Sequence, residues 1–168
     1  MTTISRRHHL WPVLPLACRL TLGVVWIVAG AAKVTALDES VRAVRAYRLL
    51  PDLAAQIVGA GLPVVEILLG VLLLIGAGVR VSAVLSALLM LAFVIGIGSA
   101  WVRGLRIDCG CFGSGGELAA GEQPTYGREL VRDLALLAAA VVVALSPPGP
   151  LTLDRFLMTQ KMTRKENS

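Results

Sequence analysis

The sequence predicts an all-α membrane protein, an antiparallel bundle of four transmembrane helices with one short amphipathic helix at the membrane interface. Composition is the first reason: 56% of the 168 residues are hydrophobic and 16% are charged, whereas soluble domains have about 45–50% and about 25%. The second reason is patterning, because the apolar residues form four blocks close to the about 20 residues that cross a hydrocarbon core. We therefore assign residues 1–168 to a single membrane domain.

The boundaries of the four spans follow from residues that end helices or anchor them at the interface. The run 76–78, Gly-Ala-Gly, ends the second span, and the turn that follows is short enough only for an antiparallel neighbour. Trp101 is typical of an interfacial anchor at the end of the third span, and the run 146–150, Ser-Pro-Pro-Gly-Pro, stops the fourth. The predicted spans are about 13–36, 55–79, 81–102 and 130–147.

The first span also has features of a secretory signal peptide. Two arginines precede its apolar run, and Ala29-Gly30-Ala31 resembles a cleavage site. Against cleavage, the run is longer than the usual apolar region of about 7–15 residues. Gly23, Gly30 and Lys33 also share one helical face, which favours a retained helix that packs against a neighbour.

The segment 39–50 is predicted to form the amphipathic helix at the interface. Asp38 is positioned to cap its N-terminus, and Pro51 ends it. Apolar residues occupy one arc of the helical wheel, and three arginines occupy the opposite arc. These arginines are Arg42, Arg45 and Arg48. So charged a helix does not span a bilayer and is suited to lie at its surface.

The net charge of +5 does not indicate nucleic-acid binding in this composition. The basic residues lie at the ends of apolar segments, as membrane anchors do, and they form no surface interleaved with aromatic residues. In a four-span arrangement with both termini inside, the two sides of the membrane carry equal numbers of Lys and Arg. The positive-inside rule therefore does not decide the orientation.

The long polar loop 103–129, between the third and fourth spans, carries Cys109-Gly110-Cys111. Gly110 lets the backbone fold tightly, but cysteines separated by one residue form a disulfide only with strain. A strained disulfide exchanges readily, and closing so small a loop contributes little to stability. We therefore predict a redox pair, the alternatives being two free thiols or an inert bridge.

No metal site is predicted at this pair. Zinc sites normally have four Cys, His or carboxylate ligands, and the only two histidines, His8 and His9, lie across the membrane in a four-span arrangement. A thiolate metal site would then need ligands from another molecule. Cys18, within the first span, is interpreted as a small buried hydrophobe.

Persistent disulfide chemistry belongs in an oxidising compartment, so the loop 103–129 is predicted to be external. Both termini are then cytoplasmic, and residues 148–168 form a basic cytoplasmic tail. Near the cysteines, Arg106 favours a thiolate whereas Asp108 opposes it, so the sequence does not identify the nucleophile. Phe112 offers an apolar contact to a partner protein or packs against the end of the bundle.

Lys33 and Glu66 are ionisable residues within predicted spans, where a charge is costly and indicates function. Small residues on both faces allow the first two spans to pack closely, although Lys33 lies nearer the membrane surface than Glu66. Arg132 is an alternative partner for Glu66. A structural ion pair is the favoured interpretation, and a proton relay through Glu66 during thiol exchange is the sharper hypothesis.

Ordered motifs over residues 19–145 resemble the MauE branch of the DoxX-like membrane proteins. They are Arg19-Leu20-x-Leu22-Gly23, Ala29-Gly30-x-x-Lys33, Tyr47-Arg48-Leu49-Leu50-Pro51, Leu62-Pro63-x-x-Glu66-x-x-Leu69-Gly70 and Asp108-Cys109-Gly110-Cys111-Phe112-Gly113. The resemblance implies a four-helix protein of the bacterial inner (plasma) membrane with periplasmic thiol chemistry. In the MauE branch this implies disulfide formation in methylamine dehydrogenase, and other relatives accompany thioredoxin-fold proteins.

Together with the resemblance, the cysteine pair predicts disulfide exchange through Cys109 and Cys111 with an extracytoplasmic thioredoxin-like partner, in support of disulfide formation or maturation of exported proteins. Thiol-disulfide oxidoreductase is the candidate enzyme activity. The alternative is a non-catalytic scaffold or assembly factor that docks a partner through the arginine arc of segment 39–50. The resemblance extends to quinone-coupled disulfide generators, but the sequence lacks their membrane-proximal C-x-x-C and second external pair. A quinone cofactor and the oligomeric state are therefore left open.

Overall fold

The computed structural model of the chain describes residues 13–111, 115–119 and 121–147. Phe112 and the basic tail 148–168 lie outside the described residues. The described part contains five helices and one two-stranded antiparallel hairpin. In chain order these are α1 (Val13–Val34), α2 (Leu37–Ala46), α3 (Asp52–Ile75), α4 (Val79–Val102), β1 (Ile107–Cys109), β2 (Gly115–Glu117) and α5 (Tyr126–Leu145). The hairpin within the loop 103–129 was not predicted.

Three of these helices are long and apolar enough to cross a membrane, namely α1 with 22 residues and α3 and α4 with 24 each. This makes the chain a helical membrane protein. Helix α5 has 20 residues, which at about 1.5 Å per residue is also the length of a hydrocarbon core. It carries four charged residues in its first two turns, Arg128, Glu129, Arg132 and Asp133. A fourth crossing by α5 therefore stays a prediction.

Helices α1 and α3 pack through the glycines of their shared faces. A Cβ atom added to Gly70 would lie 2.8 Å from the carbonyl oxygen of Gly23, and one added to Gly30 would lie 2.8 Å from that of Pro63. The backbones are so close that only glycine fits at these positions. The predicted packing of the two faces is confirmed.

The ends of α1 and α3 are not level with each other. Gly30, near the end of α1, meets Pro63 and Ile67 in the middle of α3. The first half of α3 therefore extends beyond α1, and α2 packs on it there. Ser40 of α2 donates a hydrogen bond to the Gly59 carbonyl at 2.7 Å.

Helix α2 begins earlier and ends earlier than the predicted 39–50. Its N-cap position is Ala36, and no side chain caps it, so the predicted capping by Asp38 is wrong. Asp38 lies instead in the first turn, where its charge still complements the helix dipole. The helix ends at Ala46 because Arg48 adopts a left-handed conformation with φ of 53°. Arg103 fixes this turn by donating to the Tyr47 carbonyl at 2.7 Å.

The second pair of helices, α4 and α5, packs against the first through a shared apolar core. Trp26 of α1 is buried in this core, and its indole N–H donates to the Ser86 hydroxyl of α4 at 2.9 Å. The other buried residues of this cluster are Leu22, Leu69, Leu73, Val79, Ala83, Met90, Ala140 and Val143. The hairpin covers one end of the core and lies beneath α2.

We predict that Gly70→Ala destabilises the protein, because the added methyl group collides with the Gly23 backbone. The expected loss is about 1–3 kcal/mol, the usual cost of overpacking a tight interface. Gly61→Ala in the same helix is the matched control, since no atom lies within 4 Å of its added Cβ. Thermal unfolding of the two variants in detergent measures the difference. Equal unfolding temperatures for both variants would show that this interface is not tightly packed.

Candidate functional site

Cys109 and Cys111 lie beneath α2 and against α5. Both are free thiols, and only 8% of Cys109 and 7% of Cys111 is exposed. Cys109 is the last residue of β1, and Gly110 turns the chain with a positive φ of 68°. A Cβ atom at Gly110 would lie 2.5 Å from the Ala43 side chain of α2. Glycine is therefore required here both for the turn and for the close approach of α2.

Two charged residues of α5 complete a ring of hydrogen bonds around the two sulfurs. The Cys111 N–H donates to Cys109 Sγ at 3.3 Å, and Arg132 Nη2 donates to the same sulfur at 3.7 Å. Arg132 Nε donates to Asp133 Oδ1 at 2.8 Å. The Cys111 thiol closes the ring by donating to Asp133 Oδ2 at 4.0 Å, a long contact of the kind that sulfur makes.

The ring gives the two thiols opposite acidities. The pKa of Cys109 is lowered, first by the adjacent Cys111 side chain, and further by the hydrogen bonds from the Cys111 amide and Arg132, against the effect of burial. The pKa of Cys111 is raised well above its ordinary value, first by the adjacent Cys109 sulfur and next by burial. Cys109 is therefore the sulfur that ionises first, and Cys111 keeps its proton.

The predicted neighbours of the pair occupy different positions from those expected. Arg106 donates to the carbonyl of Glu122 at 2.5 Å, and the arginine that contacts Cys109 is Arg132. The residue that stabilises the thiolate is therefore Arg132 and not Arg106, as the sequence had indicated. Asp108 accepts a hydrogen bond from the Gly110 amide at 3.2 Å, so it closes the turn between the cysteines.

Lys33 and Glu66 form a buried ion pair with Lys33 Nζ 2.5 Å from Glu66 Oε1, and the exposed fractions of the two side chains are 2% and 0%. The predicted difference in depth between Lys33 and Glu66 does not separate them, because α1 ends beside the middle of α3. Lys33 Nζ also lies 5.6 Å from the centre of the Phe93 ring, which adds a cation–π contact. Arg132, the alternative partner of Glu66, pairs with Asp133.

A small cavity joins this ion pair to the thiol site. Its volume is about 10 Å³, which is about the room that one water molecule needs. Its polar lining residues are Glu66, Cys111 and Asp133. The apolar lining residues are Val25, Trp26, Ala29, Met90, Phe93 and Leu136. A quinone ring is several times larger than water, so this cavity does not hold one in the conformation described.

Comparison with known proteins gives a consistent result. The family model described as methylamine utilisation protein MauE matches residues 11–146. The chain belongs to the MauE family. MauE of Paracoccus denitrificans is 34% identical over 139 residues, covering 82% of this chain and 72% of that protein. MauE of Paracoccus versutus is 33% identical over 143 residues, covering 84% of this chain and 77% of that protein. No solved structure matches this chain significantly.

In this member of the MauE family, two tyrosines hold the cysteine strand in place. The Tyr47 hydroxyl donates to the Cys109 carbonyl at 3.1 Å. The Tyr126 hydroxyl donates to the Leu105 carbonyl at 2.5 Å and accepts from the Ile107 amide at 3.1 Å. The sequence did not predict that either tyrosine contacts the cysteine strand. The pair Arg132-Asp133 was visible as adjacent opposite charges in an apolar segment, but its link to the cysteines was not.

Ligands for a metal ion at Cys109 would not all have to come from another molecule, contrary to the prediction from the sequence. Ligand atoms of Asp108, Cys109 and Glu129 lie within 4.8 Å of one another, so three candidate ligands come from this chain itself. The Arg132 guanidinium contacts the same sulfur and opposes a cation there by charge repulsion. The arrangement around Cys109 therefore suits a thiolate better than a metal ion.

We predict that the two thiols alkylate with different pH profiles. Iodoacetamide reacts with the thiolate, so the midpoint for Cys109 is expected below the ordinary pKa of about 8.5 and that for Cys111 above it. Arg132→Gln removes one of the contacts that lower the pKa of Cys109. This variant is expected to slow Cys109 alkylation at pH 7 by roughly three- to tenfold, since one pKa unit is tenfold in thiolate.

The matched control is Arg128→Gln in the exposed first turn of the same helix, which should leave both profiles unchanged. Fragment mass spectrometry distinguishes the two alkylated cysteines. Identical profiles for Cys109 and Cys111, or an unchanged Cys109 rate in the Arg132 variant, would contradict this account of the site.

Proposed function

We propose that this protein exchanges disulfides through Cys109 and Cys111 with an extracytoplasmic protein of thioredoxin fold, and so supports disulfide formation or maturation of exported proteins. The observation that carries the proposal is the set of contacts around the pair, in which Arg132 and the Cys111 amide donate to Cys109 Sγ while the Cys111 thiol contacts Asp133. A sulfur stabilised as a thiolate beside a second sulfur that keeps its proton is the arrangement that disulfide exchange uses. Both curated relatives are named as methylamine utilisation proteins, so we place this activity in support of methylamine utilisation.

The exchange has two steps that balance in atoms and electrons. The Cys109 thiolate attacks a disulfide of the partner, forming a mixed disulfide and releasing one partner thiolate. Cys111 then loses its proton and attacks Cys109 Sγ, which releases the second partner thiolate and leaves a Cys109–Cys111 disulfide. The pair is oxidised by two electrons and the partner is reduced by two. Run in reverse, the same steps oxidise a partner dithiol.

A protein partner reaches Cys109 only if α2 moves. The pair is nearly covered, and Ala43 of α2 lies directly over Gly110. The surface ion pairs that tie α2 to its neighbours are exposed, namely Arg45 with Asp52 and Arg48 with Glu117. Exposed pairs contribute about 0–1 kcal/mol each, so they oppose this movement weakly.

We further propose that α5 is the fourth transmembrane helix and that the protein lies in the bacterial inner membrane with its cysteine loop outside and both termini in the cytoplasm. The charges of α5 do not prevent this, because Arg132 and Asp133 face the thiol site and pair with each other. Intramembrane charges are tolerated where they face the bundle interior and find partners there. The external placement rests on the oxidising chemistry of the pair.

The alternative, a scaffold that docks a partner through the arginine arc, has less support. All three arginines of the arc form ion pairs, Arg42 with Glu39, Arg45 with Asp52 and Arg48 with Glu117. Carboxylates of the same chain therefore balance much of their positive charge, and the arc is expected to bind an acidic partner more weakly than its sequence indicates.

The test is to trap mixed disulfides in membranes with single cysteine substitutions. Cys111→Ser removes the resolving thiol and is expected to accumulate a covalent adduct between Cys109 and a thioredoxin-fold protein, visible on non-reducing gels and identifiable by mass spectrometry. Cys109→Ser should accumulate several-fold less, because burial and the charge of Asp133 still raise the pKa of Cys111 when Cys109 is absent.

Cys18→Ser is the matched control, since Cys18 lies in α1 at a distance from the ring, and it should give no adduct. If neither substitution at the pair gives an adduct, and the double variant still supports maturation of the partner, disulfide exchange is not the function.

A further inference from the structure

The inner side of the thiol site holds groups that the exchange with a partner does not by itself explain. Asp133 is 2% exposed and accepts the Cys111 thiol proton at 4.0 Å between sulfur and oxygen. The same cavity is lined by Glu66, whose Oε2 is buried and has no hydrogen-bond partner among the described residues. Two buried carboxylates thus face one water-sized space next to Cys111.

The resolving step requires a base at this position. Cys111 attacks only as a thiolate. In the reduced pair its pKa is raised first by Cys109 and next by burial. Burial still raises this pKa once Cys109 is bound to the partner, so a nearby proton acceptor assists formation of the thiolate at neutral pH. Cys111 is only 7% exposed, and its sulfur already contacts Asp133 Oδ2 on the side of the bundle interior. An acceptor is therefore in place on that side, whether or not α2 has moved.

The two oxygens of Asp133 have separate contacts. Oδ1 accepts from Arg132 Nε, and Oδ2 accepts from the Cys111 thiol. The arginine therefore fixes the carboxylate in place while the second oxygen stays directed at the sulfur. Positioning of this kind is what a general base requires before its acidity matters.

We propose that Asp133 is the base that takes the proton from Cys111, and that Glu66 shares this proton with Asp133 through a water molecule in the cavity. The inference rests on the proposed disulfide exchange and adds the route of its proton. It assigns Asp133 a catalytic role, because it touches a reacting sulfur, and Glu66 a positioning role across the cavity.

In the resolving step the proton of Cys111 moves to Asp133 and then to the departing sulfur. The Cys111 S–H bond breaks and its proton passes to Asp133, while the new thiolate forms a bond with Cys109 Sγ. The bond from Cys109 to the partner's sulfur breaks, and that sulfur leaves as a thiolate. The two carboxylates hold the proton until the departing sulfur takes it up. The products are a neutral Cys109–Cys111 disulfide and a partner thiol.

Charged and titratable groups face Asp133 from every element around it. Helix α5 contributes Arg132 and Glu129, the loop contributes Cys109 and Cys111, and the end of α2 contributes Tyr47. Glu66, which pairs with Lys33, lines the same cavity. Lys33 balances the charge of Glu66 and also contacts Phe93. The cavity can therefore hold a shared proton without leaving an unpaired carboxylate.

The test follows the two steps separately with 4,4′-dithiodipyridine, a small disulfide, on the reduced full chain in detergent with Cys18→Ala. One coloured thiopyridone is released when the mixed disulfide forms and a second when Cys111 resolves it. In Asp133→Asn we expect the first release within about twofold of the parent and the second slowed about ten- to hundredfold at pH 7, in line with general-base contributions. The deficit should shrink as the pH rises, because hydroxide then removes the proton.

Glu66→Gln should slow the second release less than Asp133→Asn, and Asp133→Glu should restore much of the rate. Glu122→Gln, which replaces an exposed carboxylate of the loop, is the control and should change neither step. A second release at the parent rate in Asp133→Asn at every pH overturns the inference and leaves disulfide exchange intact.

A parent protein that releases only one thiopyridone, or none, overturns the proposed function and this inference together. If Asp133→Asn does not fold, the rate of the second release in Glu66→Gln tests the proton route instead. An unchanged second step in that variant overturns the route across the cavity.

Discussion

The structure depends on one constraint, which is that every charge inside the apolar bundle must find its partner within the bundle. A buried charge left without its partner costs about 3–5 kcal/mol. Lys33 and Glu66 satisfy each other between α1 and α3, and Arg132 and Asp133 do so at the start of α5. The first pair fixes how far α3 extends beyond α1. The second gives the cysteine loop a charged surface to fold against.

The stagger of α1 and α3 explains why a short helix follows α1. It leaves the first half of α3 uncovered, and α2 fills this space through Ser40 and the close approach at Gly59. From that position α2 also covers the cysteine turn, where Ala43 meets Gly110. Burial of the thiols is thus a consequence of helix packing, and it places Cys111 beside a cavity in the bundle interior.

The sequence was sufficient for the parts of the fold that follow from local spacing. Glycines at helical intervals identified the faces of α1 and α3 that pack, because a face depends only on positions along one helix. The relative level of two helices depends on contacts across the chain, so Lys33 was expected nearer the membrane surface than Glu66, although the two meet in a buried ion pair. For the same reason Arg106, three residues from Cys109, was considered as a neighbour of the thiolate, whereas Arg132 reaches the sulfur only through the fold. The hairpin and the two tyrosines that hold it also depend on such distant contacts.

Whether Cys109 and Cys111 form an exchangeable pair is decided by their redox equilibrium. The full chain is equilibrated in glutathione buffers of graded potential, the thiols are alkylated, and the fraction in each form is measured by mass spectrometry. We expect full and reversible interconversion of dithiol and disulfide at a potential above about −300 mV, the value below which structural disulfides lie. Two results would show that the pair is not exchangeable. Either no disulfide forms under oxidising conditions, or the disulfide stays oxidised in a buffer poised at about −300 mV.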